Sequence, residues 1–459
     1  MTRLLELDYS ADSTQRFESM LDLPWAAYLD SGPQRTALAR YDVLAADPYL
    51  TITTRGTTTE IRSRGGLQYS DRDPLTLVAE ALGPPVEGLA ELPFVGGAIG
   101  YFGYDLARRI ERLPSLARAD IAAPDMAIAI HDWAVVVDHE QRRAWLVAQG
   151  RDPKTFAEWD ALRARLDGGQ RPKLRPFRVL SDIESNLDED AYARAFERVQ
   201  GHIARGDCYQ VNLTQRFSTQ ADGDAWGAYT NLRRISPAPF AAYLSHPGAK
   251  ILSSSPERFL RLSEGHAETR PIKGTRARSL DGRLDRALAA ELALSEKDRA
   301  ENVMIVDLLR NDLGKVCVAG SIEATRLFEV ESFANVHHLV STVEGRLRPD
   351  RHAVDLLRAC FPGGSITGAP KLKAMEIIEA LEPQRRNVYC GAIGYIGFDG
   401  RMDTNIAIRT LLQSGSTVYA WAGGGIVADS VLESEYQESF DKAAGLLAVL
   451  NDRNARAAG

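Results

Sequence analysis

The sequence is organised around RPIKGTR, residues 270–276, which places one lysine between an apolar pair and a glycine. A free lysine side chain has a pKa of about 10.4, so it is protonated at neutral pH and is a poor nucleophile. Burial disfavours the ammonium form, and so does a nearby cation, which Arg270 or Arg276 would supply. Gly274 would let a ligand approach the backbone. The stretch therefore predicts a reactive Lys273, although a solvated surface lysine has the same local pattern.

Upstream of this stretch, SSSPERF at residues 253–259 ends a strand-like run and carries Glu257. A carboxylic acid beside a nucleophilic lysine can protonate a departing oxygen. A surface-loop glutamate is the alternative that the local sequence favours. Glu257 is therefore a candidate general acid if the fold brings it next to Lys273.

Acidic residues cluster at the start of two predicted helices. Ser295 and Asp298 are typical of a helix N-terminal cap, and Asp298 and Glu301 share a helix face because they lie three residues apart. Glu435 and Glu438 repeat that spacing in the last predicted helix. An exposed charged face is the usual interpretation of such spacing. If the two helix starts meet, however, Glu301 and Glu438 are suitable ligands for Mg²⁺, which prefers carboxylate oxygens.

Further segments carry groups suited to an anionic ligand. Residues 363–371, GGSITGAPK, have the glycine spacing of a phosphate-binding loop but lack its Lys-Ser/Thr ending, so we expect Ser365 and the backbone before a helix to donate instead. The three glycines at 423–425 offer consecutive backbone N–H groups to a carboxylate. Arg409 can bind a carboxylate bidentately, and Tyr389 can add a hydroxyl group.

Composition narrows the class of protein. The net charge is −7, from 55 basic and 62 acidic residues without a basic block, which argues against a nucleic-acid partner. The four cysteines form no C-x-x-C pair, so neither a zinc site nor a disulfide framework is indicated. The N-terminus has no apolar signal segment, and no apolar run reaches roughly 18 residues. We expect a cytoplasmic protein that does not contact membranes.

The sequence predicts a division of the chain near residue 176. Residues 1–165 mix strand patterns, as at 49–54 and 126–137, with short helical patterns. Residues 167–176, DGGQRPKLRP, combine glycine, proline and charge without periodicity and so predict a linker. We therefore expect an N-terminal region, 1–176, and a catalytic region, 177–450.

Five separated segments occur in the order found in the chorismate-utilising enzymes, and the chain resembles that family over about residues 180–448. These segments are 271–275, 301–316, 364–371, 391–397 and 422–442. The resemblance implies an α+β fold, a large sandwich of two antiparallel β-sheets with helices on the outside and with the two regions interwoven. It also implies an aromatic amino-acid pocket in the N-terminal region, where tryptophan can bind. The pocket residues so implied are Leu29, Asp30, Ser31, Pro237 and Phe240.

The resemblance also assigns chemical roles. It implies Lys273 as the nucleophile, Glu257 as the acid, and Mg²⁺ as a cofactor. The metal-binding residues so implied are Glu301 and Glu438, with Asp298 and Glu435 behind them. The substrate-binding residues so implied are His338, Ser365, Tyr389, Arg409, Gly423, Gly424, Gly425 and Lys442, although a buried core histidine is the plainer interpretation of His338.

The lysine distinguishes the branches of the family. At this point anthranilate synthases have a stretch similar to Pro-Ile-Ala-Gly-Thr, with alanine where this chain has Lys273. The position of the water-activating lysine of isochorismate synthases corresponds to Gln210 in this chain. The chain thus resembles the large subunits of aminodeoxychorismate synthases, which make 4-amino-4-deoxychorismate for 4-aminobenzoate and folate. Because no glutaminase cysteine signature is visible, a glutamine amidotransferase partner is implied as the source of ammonia. The alternatives are an anthranilate synthase large subunit and, more distantly, a non-catalytic module that binds an aromatic ligand and regulates a partner.

Overall fold

The computed structural model describes residues 2–34, 38–89, 91–169, 171–333 and 336–451. Within these ranges the strands form two antiparallel sheets, one of 13 strands and one of 12. Helices cover the outer faces, so the predicted two-sheet α+β sandwich is confirmed.

The first sheet runs across the molecule in the following spatial order. Its strands are Arg3–Leu7, Arg143–Ala148, Trp133–Asp138, Tyr41–Ala45, Ala27–Asp30, Phe240–His246, Ala249–Ser255, Thr410–Ser414, Thr417–Ile426, Gln210–Asp222 and Arg178–Val179. Two short strands, Glu184–Ser185 and Gly368–Ala369, also pair with Gln210–Asp222.

The second sheet begins at the strand that carries the lysine. Its strands are Ile272–Ala277, Val336–Arg346, His266–Thr269, Arg258–Ser263, Met402–Ile406, Ala392–Gly397, Gly97–Phe102, Met126–His131, Leu50–Arg55, Thr58–Ser63 and Gly66–Ser70. Strand Glu323–Ser332 pairs with Val336–Arg346 beside this order.

The helices of the described ranges lie between these strands in the chain. The α-helices are Thr14–Glu18, Pro74–Leu82, Pro153–Ala157, Trp159–Leu166, Glu189–Ala204, Ala225–Ile235, Gly282–Leu294, Glu296–Gly314, Ala353–Cys360, Lys371–Leu381 and Leu432–Asn451. Short 3₁₀ helices span Tyr104–Arg109 and Gly364–Ile366. No helix of the described ranges is long and apolar enough to cross a membrane.

The first sheet buries both of its faces, so its strands carry apolar residues on both. Successive residues of a strand point to opposite faces and therefore join different cores. In Tyr41–Ala45, Val43 and Ala45 join the core shared with the second sheet, whereas Leu44 packs toward the outer helices. Residues 126–137 show why one predicted strand became two. The chain bends at Asp132, so that Met126–His131 lies in the second sheet and Trp133–Asp138 in the first.

Both sheets contain strands from before and after residue 176. Ala27–Asp30 pairs with Phe240–His246 in the first sheet, and Gly97–Phe102 pairs with Ala392–Gly397 in the second. Residues 167–176, of which residue 170 lies outside the described ranges, connect helix Trp159–Leu166 to strand Arg178–Val179. The division into two regions at residue 176 stays a prediction.

Candidate active site

Lys273 lies at an irregularity of its strand. The pairing register with Val336–Arg346 shifts between Lys273 and Thr275, and Gly274 sits at the shift with a φ of 76°. This left-handed conformation suits glycine. A Cβ atom on Gly274 would lie 2.8 Å from both Asp298 Cγ and Leu292 Cδ1. The glycine therefore admits two neighbouring side chains, which corrects the prediction that it makes room for a ligand.

The Lys273 side chain turns inward and donates to the backbone carbonyl of Ser365, with an Nζ–O distance of 3.1 Å. Burial lowers the pKa of this lysine; Glu301 opposes that effect, and the Lys442 cation adds to it. A lower pKa increases the neutral, nucleophilic fraction of the amine.

The cation that acts on Lys273 is not one of its neighbours in the sequence. Arg270 forms an ion pair with Glu331, and Arg276 donates to Glu291 at 2.9 Å. Both predicted cations are thus paired with acidic side chains of their own. Lys442 replaces them, from a helix near the end of the chain.

Glu257 is buried next to the same turn that holds Lys273. Its Oε1 accepts a hydrogen bond from Ser365 Oγ at 2.6 Å. Burial raises the pKa of Glu257 to about 7, although the Ser365 hydrogen bond and the Lys273 charge oppose this effect. A carboxyl group that holds its proton near neutral pH can serve as a general acid. Ser365 thus links the acid to the amine.

The turn that carries Ser365 depends on two glycines. A Cβ atom on Gly363 would lie 2.6 Å from Ile406 Cδ1, and one on Gly364 would lie 2.6 Å from Leu308 Cδ2. The glycine spacing that superficially suggests a phosphate loop therefore reflects close packing. Lys371, at the start of the next helix, donates to Cys360 O at 2.7 Å and to Asp312 at 2.5 Å.

The two acidic helix starts meet in the structure. Burial raises the pKa of Glu301, and the charges of Asp298 and Glu435 raise it further, while Lys273 lowers it. Glu435 Oε2 and Glu438 Oε1 lie 2.9 and 3.6 Å from the position that a Cβ atom on Gly424 would take. Gly424 is therefore needed where these carboxylates approach the sheet.

The carboxylate cluster fits a divalent cation in its chemistry. Among the described residues, no group of three or more His, Cys, Asp or Glu side chains is already close enough to hold a metal ion. Glu438 instead forms an ion pair with Lys442, and Glu435 accepts from Ser430 Oγ at 2.7 Å. The Glu301 carboxylate accepts no hydrogen bond from a described residue. Glu435 is buried, Glu301 is half-buried and Glu438 is exposed, and these carboxylates supply the oxygen ligands that Mg²⁺ prefers.

Asp298 is occupied by its own helix and strand. Its backbone N–H donates to Ser295 Oγ at 3.3 Å, which confirms the predicted N-terminal cap. Its carboxylate accepts from Arg276 at 3.2 Å and lies against Gly274. These contacts place Asp298 beside the Lys273 bulge.

The three glycines at 423–425 differ in where their backbone groups point. Gly423 is opposite Thr214, and the backbone groups of this pair point away from each other. Thr214 N–H donates to Glu382 at 3.0 Å, and the Gly423 carbonyl accepts from Lys442 at 3.1 Å. Successive backbone N–H groups of a strand point to opposite edges, so the Gly424 N–H points toward the paired strand Gln210–Asp222. The N–H groups of Gly423 and Gly425 point to the other edge. The prediction of three consecutive available N–H groups is therefore wrong for Gly424.

A positively charged group faces this open side of the strand. Burial lowers the pKa of Arg409, while Tyr389 and Glu438 favour its charge. No described residue forms an ion pair or hydrogen bond with its guanidinium group. The Tyr389 ring stacks on Trp421 with centroids 5.9 Å apart, and burial raises the pKa of its hydroxyl group. A half-buried guanidinium without a hydrogen-bonded partner is suited to an anionic ligand.

His338 contacts the strand of the lysine. Its Nδ1 lies 2.9 Å from Thr275 Oγ1. Burial and the Arg409 charge lower the pKa of His338 to about 4. The ring is therefore neutral at physiological pH and can exchange one hydrogen bond as donor and one as acceptor.

Comparison with known proteins now adds to the geometry. The sequence model of a family described as chorismate binding enzyme matches residues 26–448. The chain belongs to the chorismate-binding enzymes.

Named relatives of this chorismate-binding enzyme include aminodeoxychorismate synthases and, at lower identity, an anthranilate synthase. Aminodeoxychorismate synthase component 1 of Salmonella typhimurium is 49% identical over 96% of both chains, and that of Klebsiella aerogenes is 47% identical over 96% of this chain and 97% of its own. The crystal structure of anthranilate synthase component I from Streptococcus pneumoniae TIGR4 superposes with a TM-score of 0.80, at 33% identity, over 91% of this chain and 94% of that one.

A cavity separate from the Lys273 site lies between the sheets of this chorismate-binding enzyme, with a volume of about 550 Å³. Leu29, Asp30, Ser31 and Phe240 line it, in agreement with the predicted placement. Pro237 does not, and the prediction is wrong there. It follows directly after the end of helix Ala225–Ile235, and the cavity is lined instead by Pro239, which leads into the strand.

Asp30 contributes to this cavity mainly through its backbone. Its carboxylate turns to the other face of the strand, where it accepts from Tyr229 at 2.8 Å and Arg233 at 2.6 Å. Ser31 is held by Asp42, whose Oδ1 accepts from the Ser31 hydroxyl at 2.7 Å. The cavity wall is thereby fixed by a buried polar network.

Sequence reasoning missed Asn212 as a site residue. Its side chain donates to the Ser365 carbonyl at 3.1 Å. A signal was available, because Gln210, Asn212 and Thr214 alternate with the apolar Val211 and Leu213 and therefore share one strand face. Gln210 is fully buried on that face and contacts Asn212 at 3.2 Å.

Proposed function

We propose that the chain is the synthase subunit of an aminodeoxychorismate synthase, which converts chorismate and ammonia into 4-amino-4-deoxychorismate and water. The observation that carries this proposal is the pairing of half-buried Lys273 with buried Glu257 through the two polar groups of Ser365. A lysine at this point separates the proposed activity from that of anthranilate synthases. The names of the relatives at 47–49% identity support the same choice.

Chorismate has two carboxylates, and the site has two regions suited to them. Arg409, with the Tyr389 hydroxyl and the outward N–H groups of Gly423 and Gly425, would hold the enolpyruvyl carboxylate. Partial burial of the Arg409 guanidinium strengthens this charge-assisted contact. The neutral His338 would orient the ring from the side of Thr275.

The ring carboxylate belongs at the acidic cluster. Glu301 and Glu438 would hold Mg²⁺, with Asp298 and Glu435 behind them. When bound, this ion draws electron density from the ring through the carboxylate. Lys442 keeps Glu438 ionised, since its charge lowers the pKa of that carboxyl group.

Lys273 would form the first bond. Its neutral amine adds to C2 of the ring, the two ring double bonds shift by one position each, and the C4–O bond breaks. Glu257 gives its proton to the departing hydroxyl group, which leaves as water. The amine loses a proton to the Glu257 carboxylate as the new C–N bond forms, which restores the acid. Burial supports both partners, because it favours a neutral amine and a neutral acid.

Ammonia would form the second bond. It attacks C4, the double bonds return to their first positions, and the C2–N bond to Lys273 breaks. The nitrogen on C4 loses one proton and the departing Lys273 nitrogen gains one, so that Lys273 leaves as a neutral amine. We propose that a separate glutamine amidotransferase subunit delivers this ammonia, and that the reaction takes place in the cytoplasm. We further propose that tryptophan occupies the cavity between the sheets, whose volume suits one aromatic amino acid.

An ammonia-dependent assay on the isolated chain tests the proposal. With chorismate, Mg²⁺ and excess ammonium near neutral pH, where Glu257 still holds its proton, we expect a product with the mass of 4-amino-4-deoxychorismate. Formation of fluorescent anthranilate would instead identify an anthranilate synthase. Binding of chorismate without turnover, even in excess ammonium, would favour a regulatory module.

A further inference from the structure

A half-buried amide, Asn212, contacts the Ser365 carbonyl, and the buried amide of Gln210 lies behind it; the proposed mechanism uses neither side chain. Asn212 Nδ2 donates to this carbonyl at 3.1 Å, and Asn212 Oδ1 accepts from Gln210 Nε2 at 3.2 Å. The same carbonyl accepts from Lys273 Nζ at 3.1 Å. A carbonyl oxygen has two lone pairs, so these two donors occupy both of them.

We propose that Asn212 is a positioning residue for the reaction, because it fixes the Ser365 carbonyl that in turn orients the Lys273 amine. The inference rests on the proposed function, in which that amine attacks the ring. A neutral amine has one lone pair. Once one N–H is directed to a fixed carbonyl, rotation of the nitrogen is restricted, and its lone pair is confined to a narrower range of directions.

The backbone around Asn212 is rigid enough for this role. Its N–H donates to Thr367 O at 2.8 Å, and its carbonyl accepts from Arg386 at 2.8 Å. Arg386 also donates to Ile366 O at 3.0 Å. The strand and the Ser365 turn are therefore joined on both sides of the Asn212 side chain.

The space for the amide pair is also built into the next strand. A Cβ atom on Gly425 would lie 1.9 Å from Gln210 Nε2 and 3.0 Å from Asn212 Oδ1. Any larger residue at 425 would displace the two amides from the Ser365 carbonyl. The missing side chain of Gly425 thus leaves space for the two amides on one face of the sheet. Its backbone N–H lies in the plane of the sheet.

The test compares Asn212→Ala and Asn212→Leu with wild type and with a matched control, Asn186→Ala. Asn186 also uses both amide groups, donating to Gln384 at 2.6 Å and accepting from Arg216 N–H at 2.7 Å, but it contacts no group of the mechanism. The readout is the rate at which chorismate and Mg²⁺, without ammonia, form an adduct on Lys273, followed by rapid quenching and intact-protein mass.

For the Asn212 variants we expect adduct formation to slow by about 10- to 100-fold, with the KM for chorismate changed less than about threefold. The leucine variant preserves volume and so keeps the test valid if the alanine variant is unstable. Asn186→Ala should match the wild-type rate. Adduct formation at the wild-type rate in both Asn212 variants would overturn the inference, as would a defect that saturating chorismate restores. Failure of the wild type itself to form an adduct would reject the covalent step of the proposed function instead.

Discussion

At the scale of single residues, Ser365 connects the two reacting groups through two different atoms. Its hydroxyl group donates to Glu257, and its carbonyl accepts from Lys273. Burial acts on both partners in opposite senses, raising the pKa of the carboxyl group and lowering the pKa of the amine. Both effects favour the neutral forms that the proposed first step needs.

Glu257 should determine the alkaline side of the pH profile. Because its pKa is about 7, its protonated fraction falls as the pH rises through that value, and kcat should fall with it. Glu257→Gln removes the proton donor, so we expect a loss of about 10²- to 10⁴-fold in kcat and the disappearance of this limb. The measurement is kcat against pH, with the exposed Glu323→Gln as control. A Glu257→Gln profile with the same alkaline limb would reject this assignment.

Glu301 should determine the affinity for Mg²⁺. Replacement by Gln keeps the shape of the side chain but removes one of its anionic ligands, so we expect at least about tenfold weaker Mg²⁺ binding. Calorimetric titration of the protein with Mg²⁺ measures this directly, without reliance on activity. Glu433→Gln, an exposed position on the last helix, is the matched control. Equal affinities in the two variants would exclude Glu301 as a ligand.

At the scale of elements, the site is built where helix starts meet strand irregularities. The bulge at Gly274 turns Lys273 inward, and the start of helix Glu296–Gly314 fills the space beside it. Gly424 plays the same part in strand Thr417–Ile426, where the last helix brings its carboxylates to the sheet. The positions of reactive groups on different segments thus depend on close contacts with the backbone, where only glycine leaves enough space.

Gly274→Ala should therefore be more damaging than an alanine at a comparable φ elsewhere. Gly265 has a φ of 79° and nothing within 4 Å of its Cβ position, whereas Gly274 would meet Asp298 and Leu292. We expect about 1–2 kcal/mol of destabilisation for Gly265→Ala from the backbone alone, and a further 1–3 kcal/mol or so for Gly274→Ala from overpacking. Denaturant unfolding and kcat are measured for both. Equal destabilisation, with kcat unchanged in Gly274→Ala, would contradict this account of the bulge.

The sequence predicted those elements whose residues carry a local signal. The Ser295 cap and the reactive-lysine stretch could be recognised from residue types and spacing, and the sandwich followed from the resemblance. The cation near Lys273 could not, because Lys442 is far away in the sequence and the adjacent arginines pair with other acids. The role of Gly274 was also hidden, since only the folded chain brings Asp298 against it.

At the scale of the whole molecule, the two regions share both sheets, and the cavity between the sheets is lined by residues of each. Leu29 comes from the N-terminal region, while Phe240 and Tyr395 come from the C-terminal one. A ligand in this cavity would contact both sheets at once. Its binding would therefore stabilise the sandwich as a unit.

Tryptophan should accordingly raise the thermal stability of the whole chain. A ligand that binds the folded state alone stabilises it by about 2.7 kcal/mol at a concentration one hundred times its Kd. We expect tryptophan to be released when the purified protein is denatured, and Tm to rise when it is added back after refolding. Phenylalanine, which lacks the indole N–H, is the control ligand. An unchanged Tm together with no released tryptophan would exclude this ligand.

The covalent role of Lys273 is the central claim, and intact-protein mass spectrometry tests it most directly. After incubation with chorismate and Mg²⁺ but no ammonia, wild-type protein should gain the mass of chorismate less one water, and peptide mapping should place it on Lys273. Lys273→Ala should gain nothing and lose turnover with ammonia. Turnover that persists in Lys273→Ala, with no adduct on the wild-type chain, would contradict the claim.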